Sequence, residues 1–127
     1  MKQPNFFLIG VGKSGTTSLH DYLNQHPENF TSSPKEPFYF SPHIGVPWGV
    51  CEISRYLSLF ETAGHAKRIG ESSVDDMYSK VAAKNIKEFC PEAKILIVIL
   101  RKAKVPVVRR SIKPERSQDA IRGVECC

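Results

Sequence analysis

Long apolar runs are missing from this sequence. The longest, Ile95-Leu96-Ile97-Val98-Ile99-Leu100, has six residues, against the roughly 20 that cross a bilayer. The early apolar stretch Phe6-Phe7-Leu8-Ile9 is too short for a secretory leader and runs into glycines. These absences predict a soluble, cytoplasmic chain with no membrane partner. Cysteine is also sparse. Cys51, Cys90, Cys126 and Cys127 form no CxxC pair and have no histidine at zinc spacing. That argues against a disulfide framework and predicts no metal. Cys51 and Cys90 read as small, half-buried residues in a reducing compartment. No internal repeat is visible.

Aromatics are absent after residue 100, although twelve precede it. Charge breaks at the same place. Residues 1–100 hold ten Lys+Arg and ten Asp+Glu, whereas residues 101–127 hold eight and three, so the net charge of +5 sits wholly in the tail. A nucleic-acid surface would interleave aromatics with such charges. None do so here, and no specific nucleic-acid partner is expected. The tail instead reads as weakly structured or foreign to the fold before it.

What is present suits one small globular domain: 127 residues, 41% hydrophobic and 24% charged. A chain this long can bury about two-thirds of its unfolded surface, enough for a core without staples. Asn5 to Gly10 is a continuous apolar run ended by glycine and predicts a buried strand. Thr16 to Gln25 predicts a helix with Leu19, Tyr22 and Leu23 on one face, ended by His26-Pro27. Short strands are expected within Glu28–Ser33 and Arg68–Glu71. The Pro34-Lys35-Glu36-Pro37 segment predicts a constrained loop, and Ser41–Val50 an ordered loop or lid. Glu52–Thr62 predicts an amphipathic helix through Ile53, Tyr56, Leu57 and Phe60. A further helix, capped by Asp75 or Asp76, is expected to run to Phe89 with Tyr78, Val81, Ala82, Ile86 and Phe89 inward. Lys94–Leu100 predicts a second strong strand, apolar on both faces and therefore central and parallel. Strand, glycine-rich loop, helix and then alternation is the α/β pattern of a parallel sheet flanked by helices in three layers. Ligands in such sheets bind at the carboxyl ends of the strands.

The run Gly10-Val11-Gly12-Lys13-Ser14-Gly15-Thr16-Thr17-Ser18-Leu19 sits at such an end. Its glycines let backbone approach a ligand closely. The following helix points free N–H groups and a positive dipole end at the loop. Lys13 adds a full charge, and Ser14, Thr16, Thr17 and Ser18 add hydroxyls. Together they make a cradle for phosphate or a similar anion. A bland Gly/Ser turn before a helix is the plainer alternative. Walker A spacing fails, because position 7 holds Phe where glycine is needed. Gly10, Gly12 and Gly15 do fit the dinucleotide spacing, but no acidic residue stands at a convincing strand end about 20 residues on.

The Lys13–Leu19 run resembles the 5′-phosphosulfate-binding loop of sulfotransferases, which use 3′-phosphoadenosine 5′-phosphosulfate (PAPS). His26-Pro27 and Lys35-Glu36-Pro37-Phe38-Tyr39-Phe40 resemble the heparan sulfate (glycosaminoglycan) branch and its bacterial relatives. Lys94–Leu100 followed by Arg101 is similar to the strand and arginine that open the family's second cofactor motif. The resemblance covers about residues 5–101 and implies a P-loop-like α/β fold. It implies that Lys13, Ser14, Gly15, Thr16, Thr17 and Ser18 bind the donor and that Lys13 offsets charge on the leaving phosphate. It implies Glu36 as the catalytic base that takes the acceptor's proton, Lys35 as its catalytic neighbour at the sulfuryl oxygens or the acceptor's anionic groups, and Arg101 at the 3′-phosphate. The implied donor is PAPS, the implied acceptor a hydroxyl or amine on a carbohydrate-like molecule. His20, His26, His43 and His65 show no partner pattern and read as ordinary surface or helix positions.

The pattern breaks after Arg101. Lys102-Ala103 replaces the family's Asn-Pro, and position 109 is Arg where the family has Ser. Resemblance and charge balance stop together, so residues 1–101 are expected to be part of a sulfotransferase domain and residues 102–127 a divergent or frame-shifted basic end, leaving the domain truncated. At Glu71-Ser72-Ser73, Ser72 stands where the family often has Lys. Three readings compete: a sulfotransferase, inactive if the missing half is essential; a P-loop nucleotide kinase, which Phe7 and Arg101 after the apolar strand oppose; and a non-catalytic remnant that binds a nucleotide or a protein.

Overall fold

Two faces of one sheet carry different chemistry, and side-chain alternation along two short strands decides which face meets which helix. The computed structural model describes residues 2–100; Arg101, the basic end 102–127 and the Cys126-Cys127 pair lie outside the described residues. Four strands, β1 (Phe6–Gly10), β2 (Asn29–Thr31), β3 (Arg68–Ser72) and β4 (Lys94–Ile97), lie in the order β2-β3-β1-β4. Every neighbouring pair is parallel. The helices are α1 (Thr16–Gln25), α2 (Ile53–Ser58) and α3 (Ala82–Phe89). The α/β expectation of a parallel sheet between helices holds.

β1 and β3 register Phe6 with Gly70, Phe7 with Glu71 and Leu8 with Ser72. Alternation sends each pair to one face. Phe7 and Ile69 join the main core with Phe40, Tyr56, Phe60, Ala82 and Ile86, which come from the connecting loops, α2 and α3. Aromatic rings cement it: Phe7 meets Phe40 edge-on at 5.4 Å, and Tyr39 stacks on Tyr56 at 4.4 Å. The opposite face, with Leu8 and Ser72, turns to α1, whose buried residues are Thr16 and His20. On this face a Cβ at Gly70 would lie 2.3 Å from the Phe6 ring. Only glycine lets that ring cross the neighbouring strand.

Several elements depart from the sequence expectation. Tyr22 of α1 is exposed, because the helix is anchored through Thr16 and His20 at the polar end of the sheet. The Glu52–Thr62 segment is a short α2 followed by a 3-10 turn at Glu61–Ala63. Its bonds tighten to i→i−3 at Phe60 and Ala63, which keeps Tyr56 and Phe60 buried while Ile53 faces out. Neither Asp75 nor Asp76 caps α3. Asp76 starts a 3-10 turn and points inward, and the Ser79 hydroxyl accepts from the Val81 and Ala82 amides instead. Tyr78 and Val81 consequently lie outside the helix and are exposed. β4 is parallel to β1, as expected, but it ends at Ile97 rather than Leu100 and is not central: among the described residues it is the edge strand, with Ile95 and Ile97 exposed and Ile99 and Leu100 exposed just beyond it. Cys51 is exposed rather than half-buried, while Cys90 is half-buried and free.

Candidate active site

The carboxyl ends of β1 and β3 lie side by side, and every described candidate residue hangs from one of them or from the segment bonded to them. β1 ends at Gly10, packed against Met77 and the Val74 carbonyl, where a Cβ would come within 2.9 Å of the Met77 sulfur. The chain then turns through Lys13, at φ 61°, and Gly15, at φ 79°, into α1. Gly15 is the helix's N-terminal flanking residue and brings no side-chain cap. The amides of the first turn, at residues 16–18, have no intrahelical acceptor, as at any helix start. A Cβ at Gly15 would meet nothing within 4 Å, and one at Gly12 only the Val74 methyl at 4.0 Å. The loop presents open backbone to solvent. Lys13, Thr17 and Ser18 are exposed around it, Ser14 is half-buried and Thr16 is buried. One lysine, uncapped amides and four hydroxyls suit an anion of phosphate or sulfate type.

The Lys35-Glu36 segment meets the end of β3. The Glu36 amide donates to the Ser72 carbonyl at 2.9 Å, and the Phe38 amide donates to Ser73 Oγ at 3.0 Å. Lys35 Nζ donates to Glu36 Oε1 at 2.8 Å, with both side chains partly buried. Glu36 at φ 65° and Phe38 at φ 51° occupy the left-handed region, uncommon for residues with a Cβ. Pro37 between them is buried, and its carbonyl accepts the Val50 amide at 2.8 Å.

His20 links the two halves. It sits on α1, one turn past the anion loop, and its Nδ1 lies 2.7 Å from Ser72 Oγ in a buried contact. Burial, and then the Lys35 charge, hold the imidazole below its ordinary pKa. His20 and Ser72 share this one hydrogen bond, and the imidazole tautomer sets which of them donates. The ordinary helix or surface position expected for His20 is thus corrected: this histidine is buried and paired. Lys35, α1 and the end of β3 meet there.

Behind β3 lies a second buried cluster that the sequence reading did not single out. Tyr56 donates to Glu71 Oε1 at 3.2 Å, and Ser73 donates to Glu71 Oε2 at 2.7 Å. Ser41 donates to Asp76. Burial, with the Asp76 charge adding to it, pushes the Glu71 carboxyl up to about 8. Burial likewise pushes Asp76 up to about 6, against the opposing bond from Ser41. One signal for this cluster was in the sequence: an acidic residue at an inward strand position, followed by two serines, needs buried partners. Among the described residues no group of three or more His, Cys, Asp or Glu is placed to hold a metal ion. Arg101, the remaining expected site residue, lies outside the described residues.

Comparison with known proteins follows the same lines. No family model matches the chain. It is 40% identical over 72 residues to the membrane-associated sulfotransferase kil1 of Dictyostelium discoideum, covering 55% of this chain and 14% of that protein. It is 29% identical over 110 residues to human bifunctional heparan sulfate N-deacetylase/N-sulfotransferase 2, covering 79% of this chain and 12% of that protein. With human carbohydrate sulfotransferase 15 it shares 36% over 69 residues, covering 49% of this chain and 12% of that protein. A crystal structure of a sulfotransferase from Alicyclobacillus acidocaldarius superposes with a TM-score of 0.72 at 30% identity, covering 76% of this chain and 44% of that one. The chain spans only 12–14% of the length of these curated relatives. Both the sequence matches and the parallel α/β sheet make this chain similar to sulfotransferases over part of their length.

Proposed function

We propose that this chain carries the donor-binding loop and the acceptor's base of a sulfotransferase, which moves a sulfuryl group from PAPS to a hydroxyl or amine of a carbohydrate-like acceptor. The observation that carries the reading is the meeting, at the carboxyl ends of β1 and β3, of an open uncapped anion loop with the Lys35–Glu36 pair. The amides and hydroxyls of residues 14–18 orient the 5′-phosphate, and Lys13 offsets the charge that collects on it. Glu36 takes the proton of the attacking hydroxyl or amine. The acceptor's oxygen or nitrogen bonds to sulfur as the bond from sulfur to the 5′-phosphate oxygen breaks, and that electron pair leaves with the phosphate. Lys35, paired with Glu36, would neutralise charge on the sulfuryl oxygens, a role its contact with Glu36 supports. Catalysis of this kind rests on positioning and electrostatics, as in phosphoryl transfer. Arg101 belongs to the proposal through its place in the sequence, three residues beyond Val98, whose amide still bonds to Gly10 at 2.8 Å.

The test is a calorimetric titration with adenosine 3′,5′-bisphosphate, with ATP and Mg²⁺ as control. Selective binding of the bisphosphate is expected, and Lys13→Ala should weaken it about tenfold or more. Equal or stronger binding of ATP with Mg²⁺ would favour the kinase reading, and no binding by a cooperatively folded sample would favour a remnant. Cytoplasmic location is part of the same proposal. No helix among the described residues is long and apolar enough to cross a membrane, whereas the Dictyostelium relative's name includes membrane association. Pelleting of the tagged chain with membranes would overturn it.

A further inference from the structure

Two residues of the base-bearing loop are held in a backbone region that side chains avoid, and they need something to hold them. Glu36 at φ 65° and Phe38 at φ 51° flank Pro37. Left-handed conformations of such residues persist only where the surroundings over-determine them, and they gather at functional sites. The holding bonds come from the end of β3. The Ser72 carbonyl takes the Glu36 amide at 2.9 Å. Ser73 Oγ takes the Phe38 amide at 3.0 Å. Ser73 is itself fixed, because its hydroxyl proton is committed to Glu71 Oε2 at 2.7 Å, which leaves its lone pairs for Phe38. Glu71 is in turn held by Tyr56 from α2. Ser73 and Glu71 are both only 1% exposed, so water does not compete.

We propose that Ser73, oriented by Glu71, is a positioning residue that sets the direction of the Glu36 carboxylate. This deepens the reading of Glu36 as the acceptor's base and rests on it. Ser73 touches neither donor nor acceptor. It acts by pinning the backbone one residue past Pro37, so that the Glu36 side chain emerges beside Lys35 rather than sampling other directions. The chain from Tyr56 through Glu71 and Ser73 to Phe38 also explains why a strand in a small domain carries a buried acid at all: Glu71 is an orienting acceptor for a serine whose other role is to accept.

The experiment compares the full 127-residue chain with Ser73→Ala, Ser73→Thr and Ser73→Cys. Amide hydrogen exchange is read by NMR at Glu36 and Phe38, with Phe7 and Leu8 of β1 as the global control. Loss of one buried acceptor should speed exchange at Phe38 and Glu36 about tenfold in Ser73→Ala. The β1 amides should be unchanged, and Ser73→Thr, which keeps the hydroxyl, should restore the wild-type rates. Ser73→Cys, whose sulfur accepts weakly, should fall between and serves if the alanine variant does not fold. Where the wild-type chain transfers sulfuryl groups to a heparan sulfate oligosaccharide, Ser73→Ala should lower kcat about tenfold and leave the KM for PAPS unchanged. Unaltered exchange at Phe38 and Glu36, or exchange that rises equally in β1, overturns the proposal, as does an unchanged kcat. Absence of bisphosphate binding by the wild-type chain would count against the sulfotransferase reading, while the exchange data still decide whether Ser73 holds this loop.

Discussion

Glu71 shows how one residue can tie stability to pH. Its carboxyl is wholly buried, and burial pushes its pKa up to about 8 from an ordinary 4.5. The folded state therefore keeps a proton that the unfolded state has released between those values. Stability is fully present below about pH 4.5 and is lost as pH rises towards about 8. Asp76 adds the same slope over a lower window, from 3.8 to about 6. His20 works in the opposite direction: with its pKa lowered from 6.5, it favours folding above that pH and penalises it as pH falls. Urea unfolding at pH 5 and pH 8 should show a loss on the alkaline side. Glu71→Gln, which cannot ionise, should flatten it; an unchanged slope would mean that Glu71 is not its source. At the candidate site, Glu36→Gln keeps size and shape but removes the proposed base, and kcat should fall roughly 10²- to 10⁴-fold, the usual contribution of a positioned acid or base. Steady-state kinetics with wild-type donor affinity would show that chemistry, not binding, was lost.

Among the elements, β1 and β3 do most to place the site, and their contact depends on a missing side chain. The Phe6 ring lies where a Cβ on Gly70 would stand, at 2.3 Å. Gly70→Ala must move that ring or part the two strands, and overpacking of this kind costs about 1–3 kcal/mol. Because the same two strands present Lys13 and Glu36 at their carboxyl ends, the variant should weaken bisphosphate binding as well as lower the melting temperature. Thermal unfolding together with calorimetry tests this; a lower melting temperature with unchanged affinity would uncouple strand packing from the site. α1 and the 3-10 turn after β3 show the converse, elements whose ends lack the usual caps. Gly15 brings α1 no cap, so the first-turn amides stay free for an anion. Asp76, instead of capping α3, turns inward to Ser41, and Ser79 takes over the start of the helix.

At the scale of the whole molecule, the described sheet has a polar working end and an apolar edge. Two cavities of about 300 Å³ each lie among the described residues, one beside Tyr39, Phe40 and Phe89, the other between Ile9, Ile86 and Ile95, and no residue of the 11–19 loop and helix start lines either. The anion loop is instead an open surface, where a Cβ at Gly15 would meet nothing within 4 Å. β4 is the edge strand among the described residues, and Ile95 and Ile97 are each 47% exposed. An apolar strand edge is a template for pairing. The chain should self-associate with rising concentration, and Ile97→Lys should shift it towards monomer in sedimentation velocity. Monomeric behaviour of the wild-type chain over the micromolar to millimolar range would count against that edge being free in solution.

Local information determined much of this protein. The apolar run at Phe6–Gly10, the glycines and hydroxyls after it and the Lys35-Glu36-Pro37 loop could be read from neighbouring residues, because a strand, a helix start and a proline-bounded turn are set by short-range sterics and hydrogen bonding. The α/β class followed from their alternation. What the sequence could not determine was partnership between distant residues. His20 reads as a helix position until β3 brings Ser72 to it, 52 residues away. Glu71 reads as a strand residue until Tyr56 and Ser73 close around it. The 94–100 run reads as central because it is apolar on both faces, yet only the order of strands decides where an edge falls. Such placements depend on long-range register, and register is fixed by packing both faces of the sheet at once, with Phe7 and Glu71 to one side and Leu8 and Ser72 to the other. The sequence by itself therefore determined which chemical groups the site has; the tertiary structure decided which of them are buried, paired and aimed.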